Sequence, residues 1–113
     1  MSKKIKEEFD FKCAVCNKRI LLANEKYYAE AHHVKPLGAG HDGPDTKDNI
    51  IVLCPNHHAE FDYGVIGINP ESGRIFHKNR SDKRHNKEPA YSLNYLLEEF
   101  VVYHYEIILK EKL

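Results

Sequence analysis

The stretch LCPNHHAEFD, residues 53–62, places a cysteine and a proline directly before two adjacent histidines. Pro55 suits the first position of an α-helix, where its missing N–H has no helical partner, and Gly64 suits a helix end. The stretch therefore predicts a short helix that begins near Pro55. Neighbouring residues of a helix point about 100° apart, so His57 and His58 cannot readily bind one ion together. The sequence predicts a separate role for each.

The cysteines indicate the role of His57. Every cysteine in the chain belongs to one of two short-spaced pairs, C-x-x-C and C-x-x-H, formed by Cys13, Cys16, Cys54 and His57. Two residues between ligands allow a tight turn to direct both at one ion, and zinc accepts three thiolates and one imidazole tetrahedrally. Four protein ligands leave no open position, so the sequence predicts a structural zinc. The alternative is a group of small buried apolar side chains beside a surface histidine.

A second metal site is indicated by the other histidines. His58 shares a helix face with Asp62, and this pair offers two ligands for a divalent ion. His32 and His33, in EAHHVKPL, lie at the end of a predicted strand, where neighbours point to opposite faces unless the strand is ending. One of them then completes the metal site and the other is free to act as a base. The alternatives are a surface His–Asp pair and one core plus one surface histidine.

The local patterns predict an α+β chain. Residues 26–34 and 49–54 are rich in strand formers and are expected to pair antiparallel, with a long loop rich in Gly, Pro and Asp between them. Residues 65–78 predict a hairpin around a four-residue turn, and residues 77–90 a polar loop. The first twelve residues are compatible with a short helix.

The C-terminal part of the chain carries apolar residues at helical spacing from Leu93 to Ile108. This pattern predicts a long helix over about residues 91–111. Its apolar stripe packs either on the core or on a second copy of the chain, so a homodimer through this helix is one expectation.

Composition and length limit the function classes. The chain has 113 residues, the size of a single domain, and its 17 Lys and Arg equal its 17 Asp and Glu, so net charge indicates neither a nucleic acid nor a membrane surface. No segment is long and apolar enough to span a bilayer, and MSKKIKEEFDFK has no apolar stretch of signal-peptide length. We therefore expect a single-domain cytoplasmic protein, in which three cysteines favour metal binding over disulfides.

The positive charges are nevertheless clustered. The stretch of residues 74–87, which begins in the predicted hairpin and continues past it, contains a single acid, Asp82, and six basic residues: Arg74, Lys78, Arg80, Lys83, Arg84 and Lys87. Such a segment could neutralise the phosphates of a DNA backbone. The alternative is an ordinary solvated loop.

Taken in chain order, CAVC, AHHVKPL and GPDTKDNIIVLCPNHHAEFD resemble the HNH endonucleases, most closely the zinc-stabilised branch of that family. The resemblance covers about residues 13–62. It implies a small ββα-metal (His-Me finger) core with a structural zinc knuckle, followed here by the hairpin and the C-terminal helix. It also implies that His33 is the general base and that Asn49 braces the loop and orients this base. The implied ligands of a catalytic divalent ion are His32, His58 and Asp62.

The family resemblance further implies an activity. HNH enzymes hydrolyse phosphodiester bonds of DNA with one metal ion and a histidine base, which leaves 5′-phosphate and 3′-hydroxyl ends. Asp62 stands where the family more often has a histidine, and its carboxylate favours Mg²⁺ or Mn²⁺, with Ni²⁺ or Zn²⁺ as alternatives. The expected partner is double-stranded DNA. A zinc-stabilised DNA-binding or adaptor module that does not cut is the second hypothesis, and an unrelated zinc-ribbon interaction protein is the third.

Overall fold

The computed structural model describes residues 2–38 and 40–112. The described elements, in chain order, are α1 (Ser2–Glu8), β1 (Ile20–Leu21), β2 (Tyr27–Tyr28), β3 (Glu30–His33), β4 (Ile50–Leu53), α2 (Pro55–Asp62), β5 (Ile66–Ile68), β6 (Ile75–His77) and α3 (Glu98–Tyr103). A 3₁₀ turn (Lys47–Asn49) precedes β4, and a π-helical segment (His104–Ile108) follows α3. The strands form three separate antiparallel pairs, β1–β2, β3–β4 and β5–β6. None of the helices in these residues is long and apolar enough to cross a membrane.

The ββα unit at the centre is formed by β3, β4 and α2, as predicted. In the register of the first two strands, Glu30 lies opposite Leu53 and His33 lies opposite Ile50. All four residues of β4 are fully buried. Ile51 and Leu53 pack in the core that contains Phe61 of α2, whereas Ile50 and Val52 pack against Ile5 of α1. Burial on both faces explains why β4 is a continuous apolar run without polar alternation.

Helix α2 has the predicted ends. Cys54 is the N-cap, with extended backbone angles (φ −74°, ψ 163°), and Pro55 is the first helical residue. Gly64 follows the helix with φ +74°, a conformation that side chains rarely adopt. A Cβ at that position would also lie 2.5 Å from the carbonyl oxygen of Ile108. Gly64 therefore ends the helix and allows the C-terminal segment to approach it.

The hairpin and the following loop agree with the sequence prediction. The Asn69 N–H donates to the Arg74 carbonyl (2.9 Å) and the Gly73 N–H donates to the Asn69 carbonyl (2.8 Å). These bonds close the four-residue turn over residues 70–73. Beyond β6 the chain runs through turns without a further helix or strand until α3.

The prediction of a C-terminal helix over residues 91–111 is wrong in its bounds. Helix α3 begins at Glu98, and regular α-helix ends at Tyr103. Residues 90–97 instead form a strap against the ββα unit. Four hydrogen bonds hold this strap: Ala90 N–H to Ala14 O (2.6 Å), Tyr91 OH to Lys12 O (2.8 Å), Tyr95 OH to Ile50 O (2.8 Å) and Leu97 N–H to Asp48 O (2.9 Å). Backbone and side-chain bonds to other elements replace the helical ones, so tertiary contacts override the apolar spacing.

The end of the chain packs mainly on the core. Phe100 and Val101 join the main hydrophobic cluster, and Tyr105 packs with Phe76 and Leu109. The strap and this C-terminal segment together cover the hairpin side of the ββα unit.

Candidate active site

The four predicted zinc ligands converge on one point. Cys13, Cys16, Cys54 and His57 present ligand atoms that all lie within 4.8 Å of one another. The Cys16 and Cys54 sulfurs are 4.0 Å apart, close to the separation of about 3.8 Å expected for tetrahedral Zn–S bonds of about 2.3 Å. His57 Nδ1 lies 3.3 Å from the Cys54 sulfur and 3.5 Å from the Cys13 sulfur. The donor set and its spacing fit a structural zinc, as predicted.

Local backbone structure explains how the first knuckle forms. The Asn17 N–H donates to the Cys13 carbonyl (2.8 Å), and the Val15 N–H donates to the Cys13 sulfur (3.4 Å). Burial raises the pKa of the Cys13 thiol to about 12. Because a buried thiolate needs a nearby positive charge, this site is stable in its ligating form only with a cation. The knuckle is built to hold a metal.

His57 is prepared as a neutral ligand. Burial lowers the pKa of its imidazole, which favours the form that can bind a metal. Its Nδ1 faces the sulfurs, and its Nε2 lies 3.8 Å from Glu60 Oε1. A carboxylate behind a ligating imidazole is a common arrangement in metal sites, because it fixes the ring orientation.

The structure brings His32 and His58 together on the other face of α2. His32 Nδ1 lies 3.1 Å from His58 Nε2. Two imidazole nitrogens that bind one ion at about 2.1 Å are separated by about 3.0 to 3.4 Å, so this pair has the spacing of two ligands of one ion. Burial and the nearby histidines lower the pKa of His32 to about 3, which keeps its ring neutral. The pair fits a divalent ion.

A carboxylate that the sequence analysis did not identify lies behind this pair. Glu30 Oε1 is 2.6 Å from His58 Nδ1. The two groups are within ion-pair distance, but their relative orientation does not form a hydrogen bond. The Tyr28 hydroxyl donates to the other oxygen of Glu30 (2.7 Å). A proton on Nδ1 beside the carboxylate leaves Nε2 free to bind a metal. Residues two apart in a strand lie on the same face, so Glu30 shares a face with His32. This alternation is the sequence signal that could have identified Glu30.

His33 lies beside a second unpredicted carboxylate. Its Nε2 is 2.8 Å from Asp45 Oδ1, on the loop that connects β3 to β4. Strand β3 ends at His33, as the sequence analysis required for neighbouring histidines to serve one site. No pattern in the loop distinguished Asp45 from the other acids there, because the pairing depends on how the loop folds back.

Asn49 holds that loop in place. Its side chain is fully buried, and it accepts a hydrogen bond from the Lys35 N–H (2.8 Å). Its amide nitrogen donates to the carbonyls of Lys35 (2.9 Å) and Pro44 (2.8 Å). The amide therefore joins the two ends of the loop, and the residue after Pro44 is Asp45, the partner of His33.

Asp62 stands apart from the other predicted ligands. It is the last residue of α2 and is exposed to solvent. Within residues 2–38 and 40–112, the Cys₃His group is the only set of three or more His, Cys, Asp or Glu side chains with ligand atoms this close together. His32, His58 and Asp62 do not form such a set, and the role of Asp62 as a ligand stays a prediction.

The apolar support of the pair is an aromatic stack. Phe61 meets the His32 ring edge-on, at 5.2 Å between centroids, and stacks on His104 at 3.7 Å. His104 Nε2 lies 2.9 Å from the Phe61 carbonyl oxygen, to which it donates. Burial lowers the pKa of His104 to about 4, so it is a neutral core residue. The stack fixes the inner side of the His32 ring.

The six predicted DNA-contacting residues differ in their surroundings. Arg74 pairs with Glu88 (3.1 Å) and Lys78 pairs with Glu111 (2.8 Å). No carboxylate of the described residues lies within 4.0 Å of the other four charges, which belong to Arg80, Lys83, Arg84 and Lys87. The four unpaired charges are the stronger candidates for phosphate contacts.

Comparisons with known proteins were made for the sequence and for the structure. A protein-family model described as HNH endonuclease matches residues 13–69. Type IV methyl-directed restriction enzyme EcoKMcrA of Escherichia coli (strain K12) is 45% identical over 53 residues, which cover 45% of this chain and 18% of that enzyme. A solved structure of a modification-dependent TagI restriction endonuclease matches with a TM-score of 0.77 and 26% identity, over 91% of this chain and 35% of that chain. The chain thus corresponds to about a third or less of either protein.

Proposed function

This chain belongs to the HNH endonuclease family, and we propose that it is a metal-dependent DNA endonuclease that uses His33 as its general base. One observation carries the proposal. His33 is held by a carboxylate at the end of β3, while the neighbouring His32 forms a pair of metal-ligand spacing with His58. A base and a metal pair on adjacent residues are what hydrolysis of a phosphodiester bond by one ion requires.

The base is oriented by Asp45. Since Asp45 Oδ1 lies 2.8 Å from His33 Nε2, the Nε2–H donates to this carboxylate and the lone pair stays on Nδ1. Nδ1 then takes a proton from the attacking water. Asn49 acts through the loop: its hydrogen bond to Pro44 O keeps the following residue at His33. We assign Asn49 and Asp45 as positioning residues.

The divalent ion would be held by His32 and His58 together with Asp62. When bound, such an ion stabilises the negative charge that develops on the phosphate and on the leaving 3′-oxygen. Two nitrogen donors and a carboxylate suit Mn²⁺, and Mg²⁺ is compatible if water completes its shell. Glu30 is a positioning residue for His58. The products are then 5′-phosphate and 3′-hydroxyl ends.

The substrate class follows from the family and from the basic segment. We infer double-stranded DNA, contacted at its phosphates by the segment that contains Lys83 and Arg84. Both similar enzymes are described as directed by DNA modification. The cleavage experiment described below therefore uses base-modified DNA as well as unmodified DNA. Pairing of two copies would use the exposed Leu97 and Ile107 at the C-terminal helix.

One observation favours the alternative of a binding module that does not cut. Asp62 is exposed and lies outside the ligand distance of the His32–His58 pair. A site limited to two protein ligands would hold an ion more weakly than three ligands do.

Cleavage of supercoiled plasmid distinguishes the two functions. Zinc-loaded protein is incubated with methylated and unmethylated plasmid in Mg²⁺, Mn²⁺ or Ni²⁺, with linear and single-stranded DNA in parallel. We expect nicked or linear products in at least one metal, with ends that DNA ligase can seal. Folded protein that shows no cleavage in any metal on any of these substrates contradicts the nuclease and supports the binding module.

A further inference from the structure

A groove of about 520 Å³ lies between the zinc knuckle and the basic segment. One wall carries Cys16, Lys18 and the first turn of α2, and the opposite wall is formed by residues 82–84. The groove lies on the zinc face of α2, next to His57, and is separate from the His32–His58 pair. Nothing in the catalytic arrangement uses it.

Three positive side chains line this groove without a carboxylate partner. Lys18, Lys83 and Arg84 each lie further than 4.0 Å from every acidic group of the described chain, whereas Arg19 pairs with Asp10 and Lys47 pairs with Glu8. Cationic side chains without partners converge here from two separate segments. Three cations that converge without ion-pair partners attract an anion to the space between them.

The two acids in the groove are already engaged with the protein. Glu60 Oε2 and Asp82 Oδ2 lie 3.8 Å and 3.5 Å from His77 Nε2. His77 Nδ1 accepts the Asn79 N–H (2.9 Å), so the ring proton is on Nε2 and faces these carboxylates. The other oxygen of Asp82 accepts the Arg84 N–H (2.8 Å). The acids thus order the wall and leave the lysines free.

The zinc knuckle reduces the remaining negative charge. Three thiolates would carry a charge of −3, and a bound Zn²⁺ lowers the total of the site to −1. With zinc bound, the two carboxylates and the zinc site balance the three cations in formal charge, and the positive charge lies at the exposed rim, on Lys18 and Lys83.

We propose that this groove binds a backbone phosphate of the DNA strand, as a second contact beside the metal pair. The inference rests on the proposed function. His57 and His58 point about 100° apart on α2, so the groove and the metal pair lie on adjacent faces of one helix. The width of a helix, about 10 Å, corresponds to about three nucleotides along one strand. A strand whose reacting phosphate lies at His33 therefore places a phosphate a few nucleotides away at the groove.

The test compares two double variants of equal charge change. Lys18→Ala/Lys83→Ala removes two unpaired cations of the groove, and Arg19→Ala/Lys47→Ala removes two ion-paired cations that lie outside the basic segment. Affinity for a 20-base-pair fluorescent duplex is measured by anisotropy at several salt concentrations between 50 and 200 mM, without a catalytic metal. Zinc content and the thermal midpoint are measured for each protein, so that a folding defect is recognised.

The expected result is a change in salt dependence for the groove variant alone. Each lost phosphate contact lowers the slope of log K against log salt by about 0.9, so the groove variant, which loses one contact, should lose about 1 unit of slope. The matched variant should keep the wild-type slope within about 0.5. Equal slopes in all three proteins, equal losses in both variants, or no measurable binding of duplex by wild-type protein overturn the proposal.

Two further measurements complete the test. The first distinguishes a DNA backbone phosphate from free phosphate as the ligand, and the second distinguishes failure of the groove proposal from failure of the nuclease proposal. Inorganic phosphate up to 10 mM at constant ionic strength should not displace the duplex; displacement at that level indicates a site for free phosphate and contradicts a backbone contact. Plasmid cleavage is measured on the same wild-type preparation. Cleavage with unchanged slopes overturns the groove alone, and a slope difference without cleavage overturns the nuclease while it supports the groove.

Discussion

The two faces of α2 carry histidine-containing clusters of different construction. On one face His57 joins three cysteines, and the four ligand atoms are already within one coordination sphere. On the other face, within the described residues, His32 and His58 form a pair of ligand spacing, Glu30 lies against the far nitrogen of His58, and the neighbouring side chains are partly exposed. Adjacent residues in the sequence thus serve a closed site and an open one.

Under the function proposed above, the difference reflects what each site has to do. A closed tetrahedral set has no place for a substrate, and it links the N-terminal knuckle to α2 in a domain with a small core. An open pair leaves positions for water and a phosphate oxygen, and it relies on carboxylates behind it for orientation. The proposed roles in stability and in chemistry therefore fall on two neighbouring residues of α2, His57 and His58.

Among single substitutions near the open His32–His58 pair, we expect removal of the proposed general base, His33, to have the largest effect on cleavage. His33→Ala should lower the cleavage rate by about 10²- to 10⁴-fold, the range for a general base, with a metal affinity close to wild type. His33 is near the surface at the end of β3, so the thermal midpoint and zinc content should stay close to wild type. Rates come from plasmid nicking at saturating metal. A variant that unfolds, or one that retains full activity, contradicts the assignment.

The loop between the two strands provides the next test. Asn49→Ala leaves the Lys35 N–H and the carbonyls of Lys35 and Pro44 without their buried partner, which should destabilise the domain by about 2 to 4 kcal/mol. Cleavage should fall as well, because Asp45 is no longer fixed at His33. The zinc content of the folded protein should not change, since the side-chain hydrogen bonds of Asn49 go to Lys35 and Pro44 and not to a zinc ligand. Chemical denaturation and zinc titration measure both effects, and a stability equal to wild type would show that the loop does not depend on this amide.

Glu30 tests whether the open site depends on its carboxylate. Glu30→Gln should weaken binding of Mn²⁺ by about 10- to 100-fold and leave the zinc in place, because the amide cannot hold His58 as the carboxylate does. Proton–nitrogen NMR of the metal-free second site adds a structural readout: neutral His58 should carry its proton on Nδ1 in wild type, and the variant should contain a mixture of the Nδ1–H and Nε2–H tautomers. Tyr28→Phe, which removes only the bond to the far oxygen, is the matched control and should have a smaller effect. Unchanged metal affinity together with an unchanged tautomer excludes a positioning role.

The smallest expected effect is a pH dependence from His104. Its pKa is about 4 in the folded chain and about 6.5 when unfolded, so the unfolded chain takes up a proton first as the pH falls. Stability is therefore lost from about pH 6.5 down to about pH 4, with about 1 kcal/mol lost by pH 5.5. His104→Phe keeps an aromatic ring stacked on Phe61 but cannot be protonated. The stability of this variant should therefore lack the part of the pH dependence that comes from His104. Chemical denaturation of the wild-type protein and of His104→Phe at pH 7 and pH 5.5 measures this loss of stability. Acid release of zinc should affect the two proteins equally. The same decrease in stability in both proteins would contradict the assignment to His104.

Much of this arrangement could be predicted from the sequence because it depends on short-range spacing. The pairs C-x-x-C and C-x-x-H, the proline before α2 and Gly64 after it each predict local geometry, and the structure agrees with them. The antiparallel pairing of the two strands also follows from local pattern and order. The sequence signal of each feature lies within segments of ten residues or fewer, although the paired segments are far apart in the chain.

The parts that sequence reasoning missed depend on distant contacts. The apolar spacing after residue 90 predicted a helix, but Tyr91 and Tyr95 bind carbonyls of Lys12 and Ile50 far along the chain. Asp45 reaches His33 only because Asn49 closes the loop. Nothing in the local pattern carries that information, since these contacts form between segments that are separated in sequence.

The most direct test of the division between the two faces of α2 is metal stoichiometry in two neighbouring variants. Native mass spectrometry with added Mn²⁺ should find one zinc and one manganese ion on the wild-type chain. His57→Ala should lose the zinc and much of the stability, whereas His58→Ala should keep one zinc, bind no manganese and lose cleavage. If the two variants lose the same metal, or if His58→Ala loses zinc, the assignment of one site to each face is wrong.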